Sequence, residues 1–405
     1  MHVLFVTGEY PPMRGGVGAY TAALAQALVE IGVQVSILTA TQAQTTVQPD
    51  ASVTVYPTVA RWDWRLWRQV PRLAHTIGAS WLHVQYQTAA FTSGSPLGAA
   101  INLAPGQWRR MAQRTGYPLQ VAWTYHDLLV PYLFPKAGAR LRRWITERPA
   151  HASELVIATN EGDYQQLSAL SIQGRPAKIP IGSNIAVHEL TDTDRTQVRR
   201  QRGYSEHSLL LGYFGFLNRS KGGLTLVRTL HTLVHQGHDA HLLMIGERVG
   251  ASDPTNYAYL QEVEALIATL QLQERVQWTG HLCDEEVSRA LHLVDVLLMP
   301  YNDGASLRRG TLMAGLAHGC AIVTTTPQSP LPELIDGRDL LYIPAEDPQS
   351  AAAASVRLVQ EPRLRQQIQR SARQQSQHFT WAAIAAQHLA YYESQLVPRS
   401  PSHHS

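Results

Sequence analysis

The chain opens with MHVLFVTGEYPPMRGGVGAYTAALAQALVE, residues 1 to 30 of 405, and this stretch decides how the rest is read. His2-Val3-Leu4-Phe5-Val6 is a short apolar run that enters a strand at once. A loop with Gly8, Gly15, Gly16 and Gly18 follows, and Ala19 to Val29 then carries apolar residues at helical spacing. Strand, glycine loop and helix form the opening unit of a parallel α/β sheet. Glycines at such a turn let backbone amides approach an anion, and the helix N-terminus adds partial positive charge. The spacing matches neither the dinucleotide fingerprint GxGxxG nor the P-loop GxxxxGK[ST], which argues against hydride transfer and ATP hydrolysis. A tight turn alone also accounts for these glycines.

The same alternation continues outward. Strand-like runs fall at 34–39, 53–56, 80–85, 119–124, 154–158 and 178–181, with amphipathic stretches between most of them. It breaks at 186–206, AVHELTDTDRTQVRRQRGYSE, which is polar and predicts a linker with one short helix. Alternation resumes at Leu209–Phe214, His241–Ile245, Val276–Thr279, Val294–Met299, Ala321–Thr325 and Leu340–Ile343, and the segment 347–396 reads as consecutive helices. The expectation is two doubly wound α/β domains, 1–185 and 207–375, facing each other across a cleft that binds a phosphorylated ligand. A C-terminal helix follows at 376–396, and the tail 397–405, VPRSPSHHS, predicts disorder.

Composition agrees with two globular cores: 44% hydrophobic and 16% charged residues over a length that exceeds one ordinary core. The net charge is +3, with arginines such as Arg142, Arg143, Arg308 and Arg309 supplying most of the base. That balance suits an anionic ligand and allows peripheral contact with an anionic membrane. It reads as too weak and dispersed for a nucleic-acid protein. Cys283 and Cys320, the two cysteines, lack CxxC or Cys/His spacing, so neither a disulfide scaffold nor a zinc site is expected. No export signal and no run of 18 apolar residues is found, so a soluble cytoplasmic protein is expected.

In open parallel sheets ligands sit beyond the carboxyl ends of the strands. Strand 119–124 ends in Thr124-Tyr125-His126-Asp127, where His126 can orient a sugar hydroxyl or meet a developing charge, unless it is merely structural. His83 and Gln85 close the preceding strand and are explained nearly as well by core packing. In the second half Gly215-Phe216-Leu217-Asn218-Arg219-Ser220-Lys221-Gly222-Gly223 runs from a strand into a helix, placing Arg219 and Lys221 where a pyrophosphate would sit. Pro300 to Thr311 then offers Asp303, Gly304, Ser306, Leu307, Arg308, Arg309 and Thr311 in one strand-to-helix turn, a set suited to phosphate and ribose. A solvated arginine pair is the alternative there.

In order along the chain, PPMRGGVGAYTAALAQAL (11–28), GFLNRSKGG (215–223), VQWTGHLCDEEVSRALHLVDVLLMPY (276–301), AHGCAIVTTT (317–326) and LPELIDGRDLLYIPAEDP (331–348) resemble the retaining GT-B glycosyltransferases of the family-4 type. The resemblance spans nearly the whole chain. It implies a UDP- or GDP-linked sugar donor on the C-terminal domain and a glycan, lipid-linked or small-molecule acceptor on the N-terminal domain. It implies no required metal or other cofactor, and a last helix that returns to the first domain. By the same resemblance Lys221 is the pyrophosphate lysine, His126 lies near the transferred sugar, and Gly15, Gly16, Gly18 and Asp127 lie on the acceptor side. Gly16, Gly246 and Gly280 join the donor set, and His126, Asp303 and Lys221 form the catalytic set. The sequence departs from the family twice. Its arginine after the first glycine of the GR motif is Phe216 here, which leaves Arg219, Arg308 or Arg309 to supply the charge. The paired glutamates are absent, with Asp303 near the first and Ala314 at the second, which leaves ribose to Thr311, Ser306 or backbone groups. The missing glutamates leave two other readings open: a nucleotide-sugar-binding protein without turnover, and a sugar-nucleotide epimerase.

Overall fold

A strand buried on both faces must be apolar at successive positions, and His2-Val3-Leu4-Phe5-Val6-Thr7 is buried throughout. The computed structural model describes residues 1–13, 15–43, 52–92, 96–128, 138–172, 176–248 and 254–395. The tail read as disordered lies outside these residues. The chain divides into two units, one formed by Met1–Gly182 with the chain from Trp381, the other by Ser183–Thr380.

The first unit contains β1 (His2–Thr7), α1 (Gly16–Glu30), β2 (Gln34–Ala40), β3 (Val53–Val59), α2 (Leu66–Ile77), β4 (Trp81–Tyr86), α3 (Thr88–Thr92), α4 (Ala100–Thr115), β5 (Gln120–Tyr125), α5 (Ala139–Glu147), β6 (Leu155–Ala158), α6 (Glu161–Ser168) and β7 (Ala177–Lys178). Among the described residues its seven strands are all parallel, in the order β3-β2-β1-β4-β5-β6-β7. Alternate strand residues serve opposite faces. Leu4, Val6, Leu82, Val84, Val121 and Trp123 pack under α2 and α4, whereas Val3, Phe5, Val35, Ile37 and Ala122 pack under α1.

The second unit contains α7 (Asp192–Gln201), β8 (Leu209–Phe214), α8 (Gly223–His235), β9 (Ala240–Ile245), α9 (Pro254–Thr269), β10 (Val276–Trp278), α10 (Asp284–Leu293), β11 (Val296–Met299), α11 (Gly310–Ala317), β12 (Ile322–Thr325), β13 (Leu341–Ile343), α12 (Pro348–Gln360) and α13 (Pro362–Ser376). Among the described residues six parallel strands run β10-β9-β8-β11-β12-β13. Strand order reverses at β1/β4 and at β8/β11, and those are the points where an open parallel sheet leaves a crevice beyond its strand ends.

The segment 186–206, expected as a linker, belongs to the second unit. Its α7 is bound there through Asp295, whose carboxylate accepts from Arg195 at 2.7 Å and from Arg199 at 3.0 Å. Arg199 also donates to the Leu293 and Ser208 carbonyls. The polar composition that suggested a linker is the composition of a helix held by ion pairs rather than by an apolar stripe. The last helix, α14 (Trp381–Glu393), falls in the first unit. Its Trp381 ring meets the Tyr20 ring edge-on at 5.3 Å, and its Tyr392 hydroxyl bonds the His83 imidazole. Cys283 and Cys320 are free thiols.

Candidate functional site

In the second unit the loops after β8 and β11 are laced together at the switch point. Gly222 takes φ +72°, and a Cβ there would lie 1.9 Å from the Pro300 carbonyl oxygen. Only glycine fits both the left-handed backbone and that approach. Asn302 donates its backbone amide to the Ser220 carbonyl at 2.9 Å and its side-chain amide to the Arg219 carbonyl at 3.0 Å. The lacing sets Lys221 beside Tyr301, with the ammonium 5.2 Å from the ring centre. The Arg309 guanidinium lies 4.6 Å from the same ring and donates to the Asp303 carboxylate, while Arg308 stands 3.9 Å from that carboxylate's other oxygen. Thr311 Oγ1 is 3.0 Å from the Tyr301 hydroxyl.

Two guanidinium groups and an ammonium thus gather around one carboxylate, an arrangement that leaves positive charge for an anion. Burial first, and then the neighbouring Arg309 charge, push the Lys221 ammonium down to about 7, against the opposing pull of Asp303. Arg309 Nε and Asn302 Oδ1 are buried without a hydrogen-bond partner among the described residues. Groups in that state are costly unless a ligand or water satisfies them.

Not every predicted donor residue joins this cluster. Arg219 points to α9, where its guanidinium pairs with Glu262 at 2.6 Å and lies 5.1 Å from the Tyr259 ring centre. Leu307 is buried as a core anchor of the turn. Gly304 takes φ +78°, with a would-be Cβ only 2.7 Å from the Thr326 carbonyl, and Ser306 accepts from the Arg309 amide through its carbonyl at 3.1 Å. Gly246 and Gly280 pair as a bridge after β9 and β10 with open space around both. Phe216 is half exposed, and Ala314 is fully buried inside α11. Tyr301 and Asn302 were missed by the sequence reading, although both sit where its own rule pointed, just past a strand end.

In the first unit the described residues of the glycine loop already hold a carboxylate of the protein's own. Glu9 Oε1 accepts from the Val17 amide at 2.9 Å and the Gly18 amide at 3.1 Å, so the protein's own carboxylate serves the start of α1. A Cβ on Gly15 would stand 2.1 Å from that carboxylate, whereas one on Gly16 would meet nothing within 4 Å. Glu9 was another residue that spacing did not single out.

His126 Nε2 lies 2.9 Å from Gln85 Oε1, and its ring meets the edge of Tyr20 at 4.6 Å. An amide oxygen only accepts, so with this amide orientation Nε2 carries the proton and Nδ1 keeps a lone pair. Burial, reinforced by His388, lowers the His126 pKa to about 3, so the ring is neutral at ordinary pH. It can hydrogen-bond a hydroxyl but holds no charge of its own. Asp127 follows it and is partly exposed. His83 is wholly buried between Tyr392 and Thr124, a core residue, while Gln85 serves to orient His126.

Two family models match the chain in turn: glycosyl transferase 4-like domain over residues 15–182, and glycosyl transferases group 1 over residues 208–361. The D-inositol 3-phosphate glycosyltransferase of Arthrobacter sp. is 24% identical over 96% of this chain and 92% of its own length. That of Corynebacterium diphtheriae is 26% identical over 52% of this chain, and the match spans about half of that relative, 48%. Among solved structures, a glycosyltransferase from Rickettsia africae superposes with a TM-score of 0.72 at 16% identity, covering 98% of this chain and 99% of the other. HepE of Anabaena, solved with UDP and glucose, gives 0.71 at 15% identity over 97% and 100%. Two parallel-sheet units in this order, each matched by its own half of the family, make this chain a member of the group 1, family-4-like glycosyltransferases with the GT-B fold.

Proposed function

We propose that the chain moves a hexose from a UDP- or GDP-sugar to an acceptor hydroxyl with retention of anomeric configuration. The observation that carries this reading is the cluster of Lys221, Arg308 and Arg309 around Asp303 and Tyr301 at the β8/β11 switch point. Negative charge develops on the departing nucleoside diphosphate in an oxocarbenium-like transition state. Cations fixed in place beforehand stabilise it without reorganising. Arg309, not Arg219, then stands in for the arginine replaced by Phe216. Ribose falls to Ser306, Thr311 and backbone groups, since Ala314 presents no polar atom. The neutral His126 accepts a hydrogen bond at Nδ1 from a hydroxyl of the transferred sugar. The leaving phosphate takes the acceptor proton on the same face, which needs no covalent nucleophile. Relatives named for D-inositol 3-phosphate, and HepE with UDP and glucose, favour UDP-glucose-type donors and polyol acceptors for a first trial.

The test is incubation with UDP-, GDP- and ADP-sugars and a panel of polyol and glycan acceptors, following nucleotide release and product anomer by NMR. An α-linked product from an α-linked donor is expected. Tight donor binding with no release under any acceptor, or an inverted product, would overturn the reading.

A further inference from the structure

Charge in the first unit is segregated rather than dispersed. Helices α2, α4 and α5 carry two, three and three arginines against a single acid, Glu147, a local charge of +7 in a chain whose net charge is +3. Helices α2 and α4 cover one face of the sheet, and α5 lies against α4, with the Tyr125 hydroxyl of β5 donating to the Thr146 carbonyl. Leu66, Val70 and Ala74 of α2 share a core with Ile101, Ala104 and Trp108 of α4. Trp67 and Trp108 each donate an indole N–H across the α2–α4 junction, and α5 contacts α4. Six of the eight arginines in this layer are exposed, two on each helix. Arg109 is spent on Glu154 at 2.7 Å.

Apolar side chains stand out in the same layer. Trp64, at the entry to α2, is 55% exposed, and Leu141 and Trp144 of α5 are 49% and 51% exposed. Leu141 and Trp144 are three residues apart, on one side of the helix, with Arg140 and Arg143 in the adjacent row. Burying an indole in the core would be the ordinary outcome, as at Trp108 and Trp123. Indoles and a leucine beside guanidinium groups suit a surface whose phosphates lie directly above an apolar interior. A nucleic-acid backbone would reward the arginines but gives no reason for Trp64, Leu141 and Trp144 to stand exposed beside them.

We propose that the α2–α4–α5 face of the first unit docks on an anionic lipid bilayer, with Trp64, Leu141 and Trp144 entering the headgroup boundary and the arginines pairing with lipid phosphates. Among the described residues no helix is long and apolar enough to cross a membrane, so the contact is peripheral. The proposal does not depend on the transfer chemistry above.

Sedimentation of the full chain with vesicles tests it. Vesicles of mixed phosphatidylglycerol and phosphatidylcholine should carry the protein down, vesicles of phosphatidylcholine alone should not, and added salt should weaken the binding. Trp64→Ser with Trp144→Ser, and separately Arg140→Glu with Arg143→Glu, should each lower partitioning by about tenfold or more. All four side chains are exposed, and unchanged circular dichroism together with unchanged nucleotide affinity shows that the variants are folded. The proposal is overturned if folded wild type does not sediment with the anionic vesicles. Partitioning unchanged in both variants, or tighter binding to duplex DNA than to lipid, overturns it too.

Discussion

The Lys221 ammonium and the Tyr301 ring centre lie 5.2 Å apart, in a setting where burial and Arg309 hold the lysine pKa at about 7. A bound diphosphate favours the charged form and raises that pKa, so donor binding takes up a proton once the pH exceeds about 7. Nucleoside diphosphate affinity should therefore fall as pH rises above neutrality, by up to about tenfold per unit. Calorimetry in buffers of different ionisation heat should register the proton. For stability the sign is reversed. The folded lysine binds fewer protons than the unfolded one between about 7 and its ordinary 10.5, so its contribution to stability grows as pH rises through that window.

Lys221→Ala should weaken nucleotide binding by about 1.5–3 kcal/mol, the range of a charge-assisted contact, or about 10- to 150-fold. It should also flatten the pH dependence and, by removing an ammonium that folding desolvates, should not lower the unfolding midpoint near neutral pH. Unchanged affinity in a titration would remove Lys221 from the site.

Gly222→Ala places a methyl group 1.9 Å from the Pro300 carbonyl at a left-handed φ. Backbone has to move, so the β8 and β11 loops should separate. The expected result is donor affinity lost together with at least about 2 kcal/mol of stability. Gly246→Ala, with nothing within 4 Å but φ +105°, should cost only the backbone strain.

Glu9→Ala removes the acceptor for the Val17 and Gly18 amides at the start of α1. Loss of a helix-start partner costs about 1–2 kcal/mol, which should lower the midpoint of the first unit by several degrees in a thermal melt. Glu9→Gln keeps an oxygen acceptor and should lose less.

His126→Ala should depress transfer while leaving nucleotide affinity intact, and the wild-type rate should show no histidine inflection near pH 6.5, because burial keeps His126 neutral down to about 3. An inflection near 6.5 that disappears in the variant would contradict the neutral assignment.

Asp295→Ala leaves Arg195 and Arg199 without their shared carboxylate, Arg199 being almost wholly buried. Stranding buried charge costs about 3–5 kcal/mol, so the denaturant midpoint of the second unit should fall.

Sequence by itself determined the two parallel sheets and the places to look. Strands buried on both faces must read as continuous apolar runs, and β1, β2, β5 and β8 each lie within a residue or two of where that pattern puts them. The strand-end rule led to Lys221, Asp303, Arg308, Arg309 and His126 because their positions follow from chain direction alone. What spacing could not reach were pairings between segments far apart in the chain. Arg219 and Lys221 are two residues apart and look equivalent, yet Glu262 and Tyr259 draw one away while Tyr301 keeps the other. The polar stretch 186–206 resembled a linker until Asp295, about a hundred residues on, neutralised its arginines. The glycine loop promised an anion site, and only the folded turn brought Glu9 onto the Val17 and Gly18 amides. Local pattern fixes where a side chain begins. Its charge, protonation and partner depend on neighbours that only the tertiary fold supplies.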